Sequence, residues 1–191
     1  MFTPSYPMQT ERLLLRPYAR DDFDALLAIQ SREDVVRYLY EDPLGPDDVR
    51  ALLERRLGNT SLSDEGDTLA VAVVLRASGE MIGDCILHWS SRQHQLGEIG
   101  FVLHPDHHGR GYATEAARPL VEFGFEEVGL HRITGRLEAR NTASARVLEK
   151  LGMRREALLI ENEFVKGEWQ SELAYAILDR EWRAFRFDSR Q

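Results

Sequence analysis

A glycine-containing turn between an apolar strand and an amphipathic helix is the feature that most constrains this chain. Residues 99–103 predict a short strand, Gly109 and Gly111 follow it, and Ala, Leu, Phe and Glu then recur at helical spacing from Ala113. Thr114 and Glu115 suit the first turn of that helix. Because a first helical turn leaves N–H groups without partners and glycine permits close approach, the junction predicts an anion-binding site.

The residues of this turn exclude two common phosphate sites. A nucleotide-hydrolysing loop requires the pattern G-x-x-x-x-G-K-[ST], and the Lys and the hydroxyl are both missing here. A dinucleotide-binding turn requires G-x-G-x-x-G, of which Gly109 and Gly111 supply only the first two glycines. On this stretch alone, an ordinary strand-turn-helix connection without a ligand is the alternative.

Composition favours one compact domain. The chain has 191 residues, 43% of them hydrophobic and 29% charged, so it can bury a core of its own. We interpret residues 1–191 as one domain with its core at about 10–178. There is no apolar run long enough to span a bilayer and no leader, so we expect a cytoplasmic protein without membrane contact. The single cysteine, Cys85, excludes an intrachain disulfide and a cysteine-rich metal site, and we expect it in the core.

The net charge restricts the class of partner. At −8 it argues against nucleic-acid binding, because phosphate contacts require a basic face. Most of the acidic excess lies in the first half of the chain, and such a field attracts a cation such as a protonated amine. The alternative is that these side chains form solvated helix ends and loops.

Hydrophobic periodicity predicts a mixed α/β chain. We expect helices at about 21–29, 46–57, 113–127 and 143–151, with a loop or short turn at 35–40. The helix after the glycines crosses between two strands that can lie side by side in parallel. Seven strands are expected, at 11–18, 68–76, 80–89, 97–103, 131–138, 154–164 and 168–178.

Four segments in order resemble one known family. The sequence HGRGYA at 108–113 resembles the pyrophosphate loop Q/R-x-x-G-x-G/A of the GCN5-related N-acetyltransferases, the GNAT superfamily, with His108 where that pattern has Gln or Arg. Residues 141–153 resemble the segment N-x-x-S-x-x-x-x-x-K-x-G-F/M that follows the fifth strand in this superfamily. With ERLLLR near the N-terminus and E-I-G-F and G-Y-A-T-E-A between them, the chain resembles the RimJ/RimL-like branch from about Thr10 to Leu178.

This resemblance implies both the fold and the cosubstrate. The implied fold is a mixed α/β GNAT fold, a central, mostly antiparallel twisted sheet of about seven strands with the fourth and fifth splayed, flanked by about four helices. Acetyl-CoA would lie between the splayed strands, with no metal involved. Its pantetheine arm would pair with the free backbone of Phe101, Val102 and Leu103. Its diphosphate would lie on the amides of His108, Gly109, Arg110, Gly111, Tyr112, Ala113 and Thr114.

Two residues after the fifth strand complete the implied cosubstrate site. Asn141 either holds a pantetheine amide or caps its own helix. Arg146 either approaches the adenosine phosphate or is a surface residue. Neither alternative is decided by the sequence.

The implied reaction is direct transfer of acetyl from the thioester to an amine, which must first lose a proton. Glu98 is the candidate base, acting directly or through water, because a partly buried carboxylate has a raised pKa; the alternative is an edge residue paired with an arginine. A backbone N–H near Leu103 is the candidate for stabilising the oxyanion. Many family members carry a tyrosine acid where this chain has Leu148, so Ser144 is the candidate hydrogen-bond donor to sulfur. The alternative is that Ser144 only lets its helix pack closely.

Aromatic residues and histidines complete the candidates. Tyr38, Tyr40 and Trp89 are candidates for the acceptor pocket, with core or rim packing as the alternative. Trp169 and Trp182 are expected to pack the C-terminal strands and tail. No metal site is expected at the histidines of the glycine turn, because they lack a fourth spaced ligand; they are His104, His107 and His108.

The acceptor and the oligomeric state stay open. The acceptor is either a protein N-terminal α-amine, as the branch suggests, or a small-molecule amine, and the chain is a monomer or a homodimer. The alternative function is a noncatalytic acyl-CoA-binding or regulatory module. Such a module retains the glycine turn and Asn141 but does not need Glu98 or Ser144.

Overall fold

One eight-stranded sheet runs through the protein, and helices pack on both of its faces. The computed structural model describes residues 1–188. The sheet has the order β1-β2-β3-β4-β5-β6-β8-β7. Its strands are β1 (Met8–Gln9), β2 (Leu13–Arg16), β3 (Thr68–Leu75), β4 (Met81–Ser91), β5 (Leu96–Leu103), β6 (Arg132–Glu138), β7 (Arg154–Val165) and β8 (Glu168–Leu178). The helices are α1 (Phe23–Gln30), α2 (Glu33–Val36), α3 (Pro46–Gly58), α4 (Tyr112–Glu126), α5 (Thr142–Lys150) and α6 (Asp179–Asp188).

The predicted mixed α/β architecture is confirmed, with additions at three places. Each of the seven expected strands is present, and the two-residue β1 is an eighth. The four expected helices are α1, α3, α4 and α5. The segment expected as a loop or short turn contains the end of α2, and α6 follows the last strand. Within residues 1–188, no helix is long and apolar enough to cross a membrane.

The sheet is open between β5 and β6. These are its only parallel neighbours among the described strands, and they pair from Leu96 opposite Arg132 to Glu98 opposite Thr134, which is three residue pairs. Both strands continue beyond these pairs, to Leu103 in β5. The strands therefore diverge after Glu98, which confirms the predicted splay.

Strand alternation divides the core into two layers. Cys85 and Leu87 of β4 lie in the larger layer, together with the buried residues of α4. Ile86 of the same strand packs with the second layer, which α1 and α3 cover through residues such as Leu26 and Leu53. Asp84 therefore also faces the α1 and α3 side. The expected core position of Cys85 is confirmed, and burial raises the pKa of its thiol, which keeps it protonated.

The two C-terminal tryptophans differ in environment. Trp182 of α6 is fully buried and lies 6.2 Å from Phe125, between ring centres. Trp169 is 61% exposed at the end of the β7–β8 hairpin, where its ring lies edge-on to Phe164. Trp169 therefore contacts the C-terminal hairpin, as expected, but stays mostly exposed. Trp182 lies in the tail helix and packs in the main core.

Candidate active site at the open gap of the sheet

Two cavities meet at the gap between β5 and β6. The α4 cavity, of about 450 Å³, lies at the start of α4 and along α5. The α3 cavity, of about 460 Å³, lies between the sheet and α3. A ligand group that passes from one to the other must pass the residues that line both, which are Tyr38, Leu39, Phe101, Val102, Asn141 and Ser144.

The start of α4 presents a row of unpaired backbone donors to the α4 cavity. Gly109 and Gly111 adopt φ angles of +73° and +82°, a left-handed conformation that glycine adopts without steric cost. The first helical hydrogen bond runs from the Glu115 N–H to the Gly111 carbonyl oxygen (3.0 Å). Among residues 1–188, no acceptor faces the N–H groups of residues 109–114. A helix start with free donors and two glycines fits a phosphate group.

An ion pair with the N-terminal segment holds this helix start in place. Arg12 Nη2 lies 2.6 Å from Glu115 Oε2, and Thr10 Oγ1 donates to Glu115 Oε1 (2.6 Å). Arg12 Nη1 also donates to the Arg110 carbonyl oxygen (3.1 Å), and its guanidinium stacks 4.4 Å from the centre of the Tyr112 ring. Glu115 is thus an anchor for β2 rather than a cap of its own helix, a role that its sequence position did not reveal.

The free edge of β5 offers fewer backbone groups than the sequence suggested. The His104 N–H bonds to the Ile82 carbonyl oxygen in β4 (2.8 Å). Since antiparallel pairing alternates, the backbone of Val102 also faces β4, whereas Phe101 and Leu103 face the gap. The Leu103 carbonyl oxygen accepts a hydrogen bond from His108 Nε2 (2.9 Å). The available groups are therefore those of Phe101 and the Leu103 N–H.

Helix α5 forms the opposite wall of the α4 cavity. Asn141 caps this helix, because its Oδ1 accepts the Ser144 N–H (3.1 Å), which is one of the two roles considered for it. Arg146 lines the cavity, and so does Lys150, one helical turn further on. Sequence reasoning missed Lys150, although its spacing of four residues from Arg146 places both cations on one face. Together they make this end of the cavity basic.

Glu98 does not line either cavity. Its Oε2 is 3.4 Å from Arg136 Nε, and Arg136 itself lines the α3 cavity. Arg136 Nη1 is also 3.6 Å from Glu172 Oε2. Burial raises the pKa of Glu172, and the charge of Arg136 offsets only part of that effect. One guanidinium of β6 therefore links two carboxylates on β5 and β8, the strands on either side of β6. No sequence pattern pointed to Arg136 or Glu172.

A buried polar cluster forms the floor of the α3 cavity. Arg56 Nη2 lies 3.1 Å from Asp84 Oδ2, and both residues line the cavity. Burial raises the pKa of the neighbouring Tyr18 hydroxyl, and the negative charge of Asp84 adds to that effect. The floor thus combines a carboxylate and a guanidinium in a site of low exposure, where both interact strongly with a polar ligand.

Comparison with known proteins identifies the family. Residues 12–154 match the family described as "Acetyltransferase (GNAT) domain". The chain belongs to the GNAT family. "Uncharacterized N-acetyltransferase YnaD" of Bacillus subtilis is 34% identical over 173 residues, covering 91% of this chain and 97% of that protein. A GNAT acetyltransferase structure from Bacillus anthracis has 33% identity and a TM-score of 0.81, and the match covers 91% of this chain and 98% of that one.

A more distant structure shares the fold. Spermidine N-acetyltransferase from Vibrio cholerae, solved with CoA and spermine, superposes with a TM-score of 0.76 at 20% identity, over 91% of this chain and 99% of that one. These matches confirm the GNAT fold. This GNAT chain is an acetyl-CoA-dependent acetyltransferase.

The GNAT structure brings most of the predicted cosubstrate residues together. Arg110 is the exception, because its side chain does not line the α4 cavity and only its backbone belongs to the helix start. One cavity is lined by Phe101, Val102, Leu103, His108, Gly109, Gly111, Tyr112, Ala113, Thr114, Asn141 and Arg146.

The three aromatic candidates for the acceptor pocket separate in the structure. Tyr38 lines both cavities. Tyr40 is 62% exposed, and its hydroxyl donates to Glu163 Oε2 (2.6 Å) outside the cavity lining. Trp89 is 5% exposed and packs edge-on against Phe2. Trp89 is thus a core residue and Tyr40 a surface residue, so neither belongs to the wall of the α3 cavity.

Proposed function

We propose that the chain transfers acetyl from acetyl-CoA to a primary amine within a ternary complex. Acetyl-CoA occupies the α4 cavity and the amine occupies the α3 cavity. The observation that most supports this proposal is the meeting of the two cavities at the gap between β5 and β6, beside Ser144. A direct transfer requires both substrates to meet at one point, and such positioning removes much of the entropic barrier.

The α4 cavity offers a complementary group for each part of the cosubstrate. The diphosphate lies on the free N–H groups of residues 109–114, where the helix dipole favours negative charge. The pantetheine arm bonds to the free backbone groups of Phe101, as an added strand does, which leaves the Leu103 N–H for the reacting carbonyl. Arg146 and Lys150 face the remaining phosphate. Since six amides and two cations contribute, the loss of the usual Gln or Arg at His108 is tolerated.

Proton transfer from the amine proceeds through water. Glu98 does not line the α3 cavity, so in this proposal a water carries the proton from the ammonium group to Glu98, while Arg136 restrains the carboxylate. The neutral amine nitrogen then attacks the thioester carbon, and the Leu103 N–H stabilises the oxyanion. The nitrogen of the tetrahedral intermediate loses its extra proton as the carbon–sulfur bond breaks, and this proton passes through water to the departing thiolate. Ser144 donates a hydrogen bond to that sulfur. Leu148, which is fully buried, cannot supply a proton.

The lining of the α3 cavity favours an acceptor that carries both donor and acceptor groups. Three carboxylates and three guanidiniums lie in its wall, so their charges sum to zero. The wall therefore does not favour a ligand of either sign through its net charge. Both a small-molecule amine and the first residues of a protein N-terminus meet this condition, the latter in keeping with the RimJ/RimL-like motifs. The charged residues are Glu41, Asp48, Asp84, Arg55, Arg56 and Arg136.

Free-thiol release from acetyl-CoA across a panel of amines tests this proposal. The panel contains polyamines, amino acid amides and peptides with free N-termini, each with an N-blocked counterpart as the control. Amine-dependent thiol release with the acetylated product detected by mass supports the proposal. Tight CoA binding without turnover on any amine would replace it with the noncatalytic acyl-CoA-binding module.

A further inference from the structure

An exposed apolar patch on the β7–β8 hairpin is not explained by acetyl transfer. Apart from Met1 and Tyr40, every exposed large hydrophobic residue in the described part of the chain lies on this hairpin. Folded monomers seldom cluster such residues, and a contiguous cluster marks an interaction surface. The five residues are 43% to 68% exposed, and they are Leu158, Leu159, Ile160, Phe164 and Trp169.

The same patch contains an open sheet edge. β7 is the last strand of the sheet and pairs with β8 alone among the described strands. Its outer N–H and C=O groups are therefore free to pair with another strand. Register irregularities lie between Arg155 and Ala157 and between Leu159 and Glu163, where Glu161 is left-handed. The regularly paired part of the edge is thus the stretch at 157–159, with Leu158 at its centre.

We propose that β7 is a homodimer interface, in which the β7 edges of two copies of this chain pair antiparallel about a two-fold axis near Leu158. An antiparallel strand pair is compatible with two-fold symmetry, because both copies present the same edge. The apolar residues at 158–160 then lie at the centre of the interface. The two sheets become one continuous sheet, and neither β7 edge stays open.

The charges at the two ends of the patch favour a second copy over an unrelated partner. Arg155 is exposed on one side of Leu158, and Glu161 is exposed three residues away on the other side. Neither forms an ion pair within residues 1–188. Because Arg155 and Glu161 are each three residues from Leu158, a two-fold axis there brings Arg155 of one copy to the same end of the interface as Glu161 of the second. The patch is therefore self-complementary in charge as well as apolar at its centre.

Measurement of mass in solution tests the interface directly. The chain has a mass of 21.9 kDa, so light scattering coupled to size exclusion should give twice that value for the wild type. Ile160→Lys places a charge at the centre of the interface and, because Ile160 is 68% exposed, leaves the monomer fold intact. The expected result is at least a tenfold increase in the dimer dissociation constant with an unchanged circular dichroism spectrum. Ala77→Lys, an equivalent change in an exposed turn on another part of the sheet, is the matched control.

Cysteine cross-linking locates the two-fold axis. The natural Cys85 is fully buried, so an introduced Leu158→Cys is the reactive thiol. A disulfide forms when two Cα atoms lie within about 7 Å, which only residues near the axis satisfy in both copies. Rapid dimer formation by Leu158→Cys, its loss when Ile160→Lys is added, and none by Ala77→Cys are expected. A monomeric wild type, a dimer that survives Ile160→Lys, or equal cross-linking at position 77 would overturn the proposal.

Discussion

Substitution of Gly109 tests the phosphate site with a control that the chain itself provides. Gly109 and Gly79 have φ angles of +73° and +74°, and a Cβ added at either meets no atom within 4 Å. Alanine at either position should cost about 1–2 kcal/mol of backbone strain, which for a domain of this size lowers the melting temperature by about 2–8 °C. Of these two glycines, only Gly109 lines the α4 cavity. Gly109→Ala should therefore weaken CoA binding, whereas Gly79→Ala should not.

The expected loss of affinity follows from the hydrogen bonds at the helix start. A methyl group at residue 109 displaces the diphosphate from at least one of the six amides there. One hydrogen bond to a charged group contributes about 1.5–3 kcal/mol, so the dissociation constant for CoA should rise by about 10- to 150-fold. Titration calorimetry on both variants measures it. If Gly109→Ala binds CoA as the wild type does while melting as Gly79→Ala does, the diphosphate does not lie on this loop.

Three further substitutions test other parts of the site. Glu98→Gln should lower kcat/KM for the amine by about 100-fold without changing CoA affinity; unchanged turnover across the pH range would make Glu98 structural. Lys150→Ala should weaken binding of CoA more than binding of dephospho-CoA. An equal loss of affinity for both ligands would show that Lys150 does not contact the terminal phosphate. Burial acts to raise the pKa of Glu115, but hydrogen bonds from Thr10 and Arg12 lower it overall. Its stabilising contribution is thus present above its unfolded pKa and lost as the pH falls through the folded value. Arg12→Ala should lower the melting temperature at pH 7 by about 2–4 °C and flatten its fall between about pH 5 and pH 3; an unchanged slope would contradict the anchor.

Local patterns in the sequence predicted most of the fold and the helix-start site. Apolar alternation located the strands, and Gly109 and Gly111 marked the turn because few other residues adopt positive φ angles. The splay between β5 and β6 came from the family resemblance, since no local pattern in either strand specifies where their pairing stops. The periodicity of apolar residues predicts where a strand or helix lies more reliably than it predicts which strands pair.

Interactions between distant residues account for what the sequence did not predict. The Arg12–Glu115 contact joins residues 103 positions apart, and the Arg136 link between Glu98 and Glu172 depends on β8 lying beside β6. The sequence left Trp89 open between the acceptor pocket and the core, because an aromatic residue at a strand end packs equally well in either place, and the structure places it in the core. To predict any of these contacts one must know the order of the strands in the sheet, and short sequence motifs do not specify that order.

A structure of the protein crystallised with CoA tests the central claim most directly. The account predicts diphosphate oxygens at hydrogen-bonding distance, about 2.9 Å, from N–H groups of residues 109–114. It also predicts the pantetheine arm between β5 and β6 and the sulfur beside Ser144. A diphosphate bound elsewhere, with the gap between the strands empty, would contradict it.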